Sequence, residues 1–206
     1  MRQAATQELY SYWNKLRGTR LSPAREDIDP CEIRHILADT MILEVDEARQ
    51  FPVRVSGSRL NALFLDELKG HSFVGLFAPD ERATASEMAC AVVEGARPIV
   101  AGLVAEQSDQ PPAHLELLLL PLRCHGQTHS RVLGMLTPTA LPSWFGLRRS
   151  DCLRMIAMRF IDDHRDADSA LLAGTDGERD LRPSDLVNRV KTRRRSFFVI
   201  RGGRPI

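Results

Sequence analysis

Apolar residues recur along this chain with two different periods, and the changes of period divide it into elements. Leu9, Tyr10, Trp13 and Leu16 are spaced as one face of a helix, with Gly18 as its stop. Residues 21–30 read as an extended linker. Asp29 followed by Pro30 opens a short helix that Cys31, Ile33, Ile36 and Leu37 complete. Residues 41–45 and 51–55 read as strands joined by the polar turn Asp46-Glu47-Ala48-Arg49-Gln50, which makes a hairpin. Gly57 then permits a sharp turn, and Ser58 is a cap for the helix that carries Leu60, Leu63 and Phe64 at i, i+3 and i+4. Asp66 starts a second short helix that Gly70 ends.

A longer helix follows Ala78-Pro79-Asp80-Glu81-Arg82, with Ala85, Met88, Ala89, Val92 and Val93 on one face and Gly95 at its end. Residues 98–106, 115–122 and 131–137 are strand-like, the last two joined by a glycine-bearing loop. From about Ser150, Leu153, Ile156, Ala157, Phe160 and Ile161 follow helical spacing. Residues 164–182 are polar, and Ser196-Phe197-Phe198-Val199-Ile200 has the makings of a short final strand. The order is hairpin, helical crossing, three-strand meander. It predicts an α+β fold with one antiparallel sheet of five strands, and helices across one face. The run of residues 115–122 is too apolar to leave its other face in water, and the Trp13 helix is the cover, from its own chain or a partner. The division is residues 1–26 as N-terminal helix and linker, 27–140 as core domain, 141–164 as C-terminal flanking helix and 165–206 as a polar and basic tail.

Composition adds little to this picture, and charge adds one feature. The apolar share of 43% and charged share of 27% are those of a globular chain, and the net charge is +1. Residues 176–206 carry nine basic and four acidic side chains, so the balance is uneven. No apolar run reaches the ~20 residues that span a bilayer, and the first residues lack the apolar stretch of a signal peptide. A cytoplasmic protein without membrane contact is expected. Cys31, Cys90, Cys124 and Cys152 fit no zinc or redox spacing and read as reduced, mostly buried thiols.

Particular motifs carry a resemblance. Asp66-Glu67-Leu68-Lys69-Gly70 resembles the E-E-L-x-G element of PAS domains, and Ala78-Pro79-Asp80-Glu81-Arg82 resembles the H-P-D-D-R that opens their long helix. Asp27-Ile28-Asp29-Pro30, Ser56-Gly57-Ser58-Arg59-Leu60 and Leu118-Leu119-Leu120-Pro121-Leu122 are similar to the recurring pieces of a bacterial, chiefly alphaproteobacterial, subfamily of single-domain PAS proteins. The similarity covers roughly residues 8–160. It implies a PAS fold with flanking N- and C-terminal helices, and a sensory, signalling or protein-interaction role without enzymatic activity in the domain.

The chemistry-bearing residues give no catalytic set. Flavin photosensors of this fold share an N-C-R-F-L-Q element; the matching His71-Ser72-Phe73-Val74-Gly75-Leu76 has no cysteine. Haem-binding relatives place a histidine in the long helix, and residues 80–95 have none. His71 is read as a capping or surface residue. Cys124, His125 and His129 lack a fourth metal ligand and read as a turn. No cofactor or metal is expected, and a small ligand of unknown identity stays open. Leu60, Leu63, Phe64, Phe73, Phe77, Met88 and Val92 are the candidates for a ligand pocket, or for solid core. Leu9, Tyr10, Trp13 and Leu16 are the candidates for a homodimer or partner interface. Lys191-Thr192-Arg193-Arg194-Arg195 reads as a solvated tail rather than a nucleic-acid site. The expected function is signalling through an unknown partner protein. A small enzyme using the same cavity, or a binder of nucleic acid or anionic surfaces through the tail, are the alternatives.

Overall fold

The structure is a computed structural model, and it describes residues 1–124 and 127–161. The predicted tail, with its basic cluster and its final strand, lies outside the described residues. A six-stranded antiparallel sheet runs through the molecule. Its strands are β1 (Thr40–Glu44), β2 (Val53–Ser56), β3 (Ile99–Gln107), β4 (Gln110–Cys124), β5 (Gln127–Pro138) and β6 (Cys152–Phe160). Their spatial order is β2-β1-β5-β4-β3-β6, which leaves β2 and β6 at the edges. Helices α1 (Ala4–Arg17), α2 (Ser58–Phe64) and α3 (Arg82–Gly95) complete the fold.

The hairpin β1–β2, the helical crossing and the meander β3–β4–β5 stand where the apolar periods put them. Each face of the sheet has its own core. Along β4 the side chains alternate: Leu117 and Leu119 join Phe77 and Met88 on the inner face, while Leu118 and Leu120 join Trp13 on the outer face. All four leucines are at most 1% exposed. The outer cover is α1 together with residues 24–39. Its indole anchor, Trp13, is fully buried and donates from Nε1 to the Pro121 carbonyl at 3.0 Å. Glu116, the lone acid in the apolar run, accepts from the backbone N–H groups of Arg2 and Gln3 at 2.7 and 3.1 Å. It thereby satisfies donors at the start of α1 that have no partner within the helix.

Three local expectations are corrected. Residues from about 150 form no helix: Cys152–Phe160 is a sixth strand, paired antiparallel with β3, so the sheet has six strands rather than five. The register shifts between Gly102 and Leu103, and Ile156 is the extra residue of a bulge. Leu153, Met155, Met158 and Phe160 therefore face the inner core with spacings of two, three and two, a sequence that overlaps helical spacing. Asp66 starts no second helix. Residues 66–71 turn back along the edge of β2, where the N–H of Gly70 bonds to the Val53 carbonyl and the N–H of Val53 to the His71 carbonyl. Gly70 does adopt the positive φ expected of it, at 85°. The helix expected after Pro30 is a run of turns followed by a 3-10 turn at Leu37–Asp39.

Candidate functional site

The seven pocket candidates come together. Leu60, Leu63 and Phe64 from α2, Phe73 and Phe77 from the crossing, and Met88 and Val92 from α3 all belong to the inner core and are at most 3% exposed. Phe73 and Phe77 pack edge to face at 5.4 Å between centroids. Of the interface candidates, Leu9 and Trp13 are fully buried in the outer core of their own chain, and Tyr10 and Leu16 are partly buried beside them. Arg17 lies over the Trp13 ring at 5.1 Å and closes its free side.

The concave feature described lies on the opposite face of the sheet from those seven. It is a groove of about 470 Å³ between the outer cover and the β1–β2 hairpin, and none of the seven candidates lines it. One wall is Arg25, Ile28, Pro30, Ile33 and Arg34. The other is Val55, Ser56, Gly57 and Ser58, at the turn from β2 into α2. Ile42, Leu133 and Thr40 are on the strands between. Two of the three stretches singled out in the sequence, residues 27–30 and 56–60, thus meet across one groove.

The residues of the second stretch hold this wall in place. The turn before α2 presses on the turn at residues 37–38, where a Cβ on Gly57 would stand 2.3 Å from the carbonyl oxygens of both Leu37 and Ala38. Glycine is required there for close approach rather than for φ, which is −71°. The N–H of Gly57 bonds to the Thr40 carbonyl at 2.8 Å. Gly57, not Ser58, is the residue before the helix, and no side chain caps it. Ser56 donates to Asn61 Oδ1, which also accepts the N–H of Leu68. Arg59, beside the apolar face of α2, has a position that by itself predicts an exposed residue. It is half exposed but donates to the carboxylate of the buried Asp39 at 2.6 Å. Burial pushes the Asp39 pKa up, and Arg59 pulls it part of the way back.

Across the groove, Asp27 accepts from the Ala24 N–H and from Arg20, contacts that hold its carboxyl below the usual range. The Tyr12 hydroxyl accepts the N–H of Asp29 at 2.8 Å, joining this wall to α1. Arg25 and Arg34 stand apart from these pairings. Neither guanidinium has an ion pair or hydrogen bond to a described residue, and no carboxylate lines the groove.

The remaining sequence candidates are dispersed. His71 is exposed, with Nδ1 3.9 Å from Asp66. All four cysteines are free thiols, Cys31 exposed and Cys90 and Cys124 buried. Beside Cys152, burial and then the Glu106 carboxylate raise the thiol pKa. His125, and the side chain of His129, lie outside what is described. Among the described residues no cluster fits a metal ion, and no helix is long and apolar enough to cross a membrane. A feature the sequence did not reveal is the cluster on β6, where Arg154 meets Glu106 at 3.0 Å, Asp80 at 3.1 Å and Glu81 at 3.6 Å. Its members are far apart in sequence and only pairing of β6 with β3 assembles them.

The chain matches the PAS domain family from residue 1 to residue 137 of its 206. Among solved structures it is similar to the PAS domain of a protein from Colwellia psychrerythraea, at 14% identity, covering 53% of this chain and 97% of that one, with a TM-score of 0.41. It is also similar to an RNA-binding light-oxygen-voltage receptor, at 16% identity, covering 68% of this chain and 36% of that one, with a TM-score of 0.36. No curated protein matches it. With the sheet order, the helical crossing and the family match in agreement, this chain belongs to the PAS domain family.

Proposed function

We propose that the protein is a non-enzymatic sensory or signalling module of the cytoplasm that acts through a partner protein and works as a homodimer. The observation that carries this reading is the double-sided sheet. β4 shares its leucines between two cores, one closed by α2 and α3 and the other by α1 and residues 24–39. A shift in the packing on one side is felt on the other through the same strand. A ligand or partner that favours one packing then shifts the population, which is a signalling mechanism without chemistry. The polar ties that fix the outer cover run from distant parts of the chain: Trp13 to Pro121, Glu116 to the N-terminal amides, the N–H of Arg123 to the Pro23 carbonyl, Arg59 to Asp39.

The test is proximity labelling with the full chain in its native cell, alongside light scattering of the purified protein. The expected outcome is a dimer mass and a reproducible labelled signalling protein, lost when the outer cover is loosened by Trp13→Ala. A monomer that labels nothing beyond a fold-matched control domain overturns the proposal.

A further inference from the structure

We propose that the outer groove binds an amphipathic organic anion, an apolar body ending in a carboxylate. The groove's volume of about 470 Å³ lies inside the ~300–1,000 Å³ range of small-molecule sites. Its lining has the composition such sites share, an apolar surface with a few polar groups that fix orientation. Ile28, Ile33, Ile42, Val55 and Leu133 supply the apolar part. Val55, on an edge strand, is 53% exposed and adds open apolar surface to the groove wall.

Charge decides the class of ligand. Arg25 and Arg34 give the groove two guanidinium groups and no acid, so it is positive on a chain whose net charge is only +1. Several other arginines of the described surface are paired with carboxylates: Arg20 with Asp27, Arg54 with Glu44, Arg59 with Asp39, Arg154 with three. Arg25 is half-buried on the groove wall, and its guanidinium has no acceptor among the described residues. A guanidinium presents a planar fork of donors that a carboxylate satisfies in two parallel bonds. The neighbouring hydroxyl of Ser58 has no partner among the described residues either and offers one more donor. An uncharged lipid leaves these donors unused, and a cation is repelled.

This site is independent of how output leaves the molecule. Loss of a partner interaction leaves it intact, and loss of the site leaves the dimer intact. The test uses the full chain with isoleucine methyl groups labelled for NMR, titrated with decanoate, 1-decanol and decylamine. Ile28, Ile33 and Ile42 report on the groove, and Ile99 reports on the inner core. Decanoate is expected to shift the three groove methyls saturably and leave Ile99 in place. Decanol is expected to bind about tenfold or more weakly, and decylamine not at all. The double variant Arg25→Ala with Arg34→Ala should bring decanoate down to the affinity of decanol. Neither guanidinium has a polar partner among the described residues, so the melting temperature should not move by more than about 1 °C. Val55→Trp, placed at an exposed position, should block the groove as an independent variant. Equal binding of decanoate and decanol, or shifts at Ile99 instead of the groove, overturns the proposal. Groove shifts that follow protein concentration without ligand assign the face to a second copy and overturn it equally.

Discussion

Asp39 is 1% exposed and its partner is a guanidinium 2.6 Å away that is itself half in water. Its Oδ1 has no partner among the described residues. Burial raises its folded pKa above the unfolded value. A group shifted in that direction contributes stability that is fully present below the unfolded pKa and is lost as pH rises through the folded one. Removing Arg59 takes away the pull that opposes burial, so the penalty at neutral pH grows. Arg59→Ala is therefore expected to cost about 1–3 kcal/mol at pH 7, below the ~3–5 of a fully buried pair because Arg59 is half solvated. The deficit should shrink as pH falls through mild acid, and Asp39→Asn should relieve most of it. Denaturant unfolding across pH measures both; a deficit that is flat with pH contradicts the assignment. Gly57 is the second decisive residue. Because a Cβ there would overlap two backbone oxygens, Gly57→Ala has no flexible neighbour to displace. A lowered urea midpoint, with a cost of about 1–3 kcal/mol or more, is expected. A midpoint equal to the parent's would show that the turn at residues 37–38 can move away.

At the scale of elements, β6 is the one whose anchoring is most readily tested. It is an edge strand, and Arg154 ties it to β3 through Glu106 and to the start of α3 through Asp80 and Glu81. The N–H of Met155 also bonds to Glu81 at 2.6 Å. Asp80 is held below the usual carboxylate range by Arg154 itself. These charges are at or near the surface, so their weight is modest and sensitive to salt. Arg154→Ala should thus leave global stability almost unchanged while speeding amide exchange along β6 by several fold, with β4 unaffected. High salt should reproduce part of that effect in the parent. Exchange on β6 indifferent to both changes would leave the strand's anchoring to its backbone ladder and to Met155, Met158 and Phe160.

For the whole molecule, the sheet makes two cores one cooperative unit. Leu63 belongs to the inner core and Trp13 to the outer core, and β4 contributes leucines to both. Truncation to alanine is expected to cost ~2–5 kcal/mol at Leu63 and ~3–5 at Trp13. Both costs should appear in one transition, and they should add to within ~0.5 kcal/mol in the double variant. A separate early transition for Trp13→Ala, with the inner core still folded, would make α1 a detachable cover instead.

Sequence and tertiary structure divided the work along a physical line. The apolar periods determined the hairpin, α2, α3 and the meander, because each of those patterns is local and its period belongs to one element type. The alternation of leucines along β4 already required a cover on both faces, and the aromatic stripe of α1 supplied it. What the sequence by itself left open depended on distant partners. The set Leu153, Ile156, Ala157 and Phe160 fits a helix as it stands. Only pairing with β3, and the bulge at Ile156 that the pairing creates, made it a strand. Asp66-Glu67-Leu68-Lys69-Gly70 carries helix signals, but the unpaired edge of β2 offered its backbone better bonds. Arg59 could be placed on an exposed helical face, while Asp39, twenty residues earlier in the chain, gave it a role. The groove is legible only in three dimensions. Its two walls are some thirty residues apart, and an arginine without a partner is invisible until every neighbour has been placed.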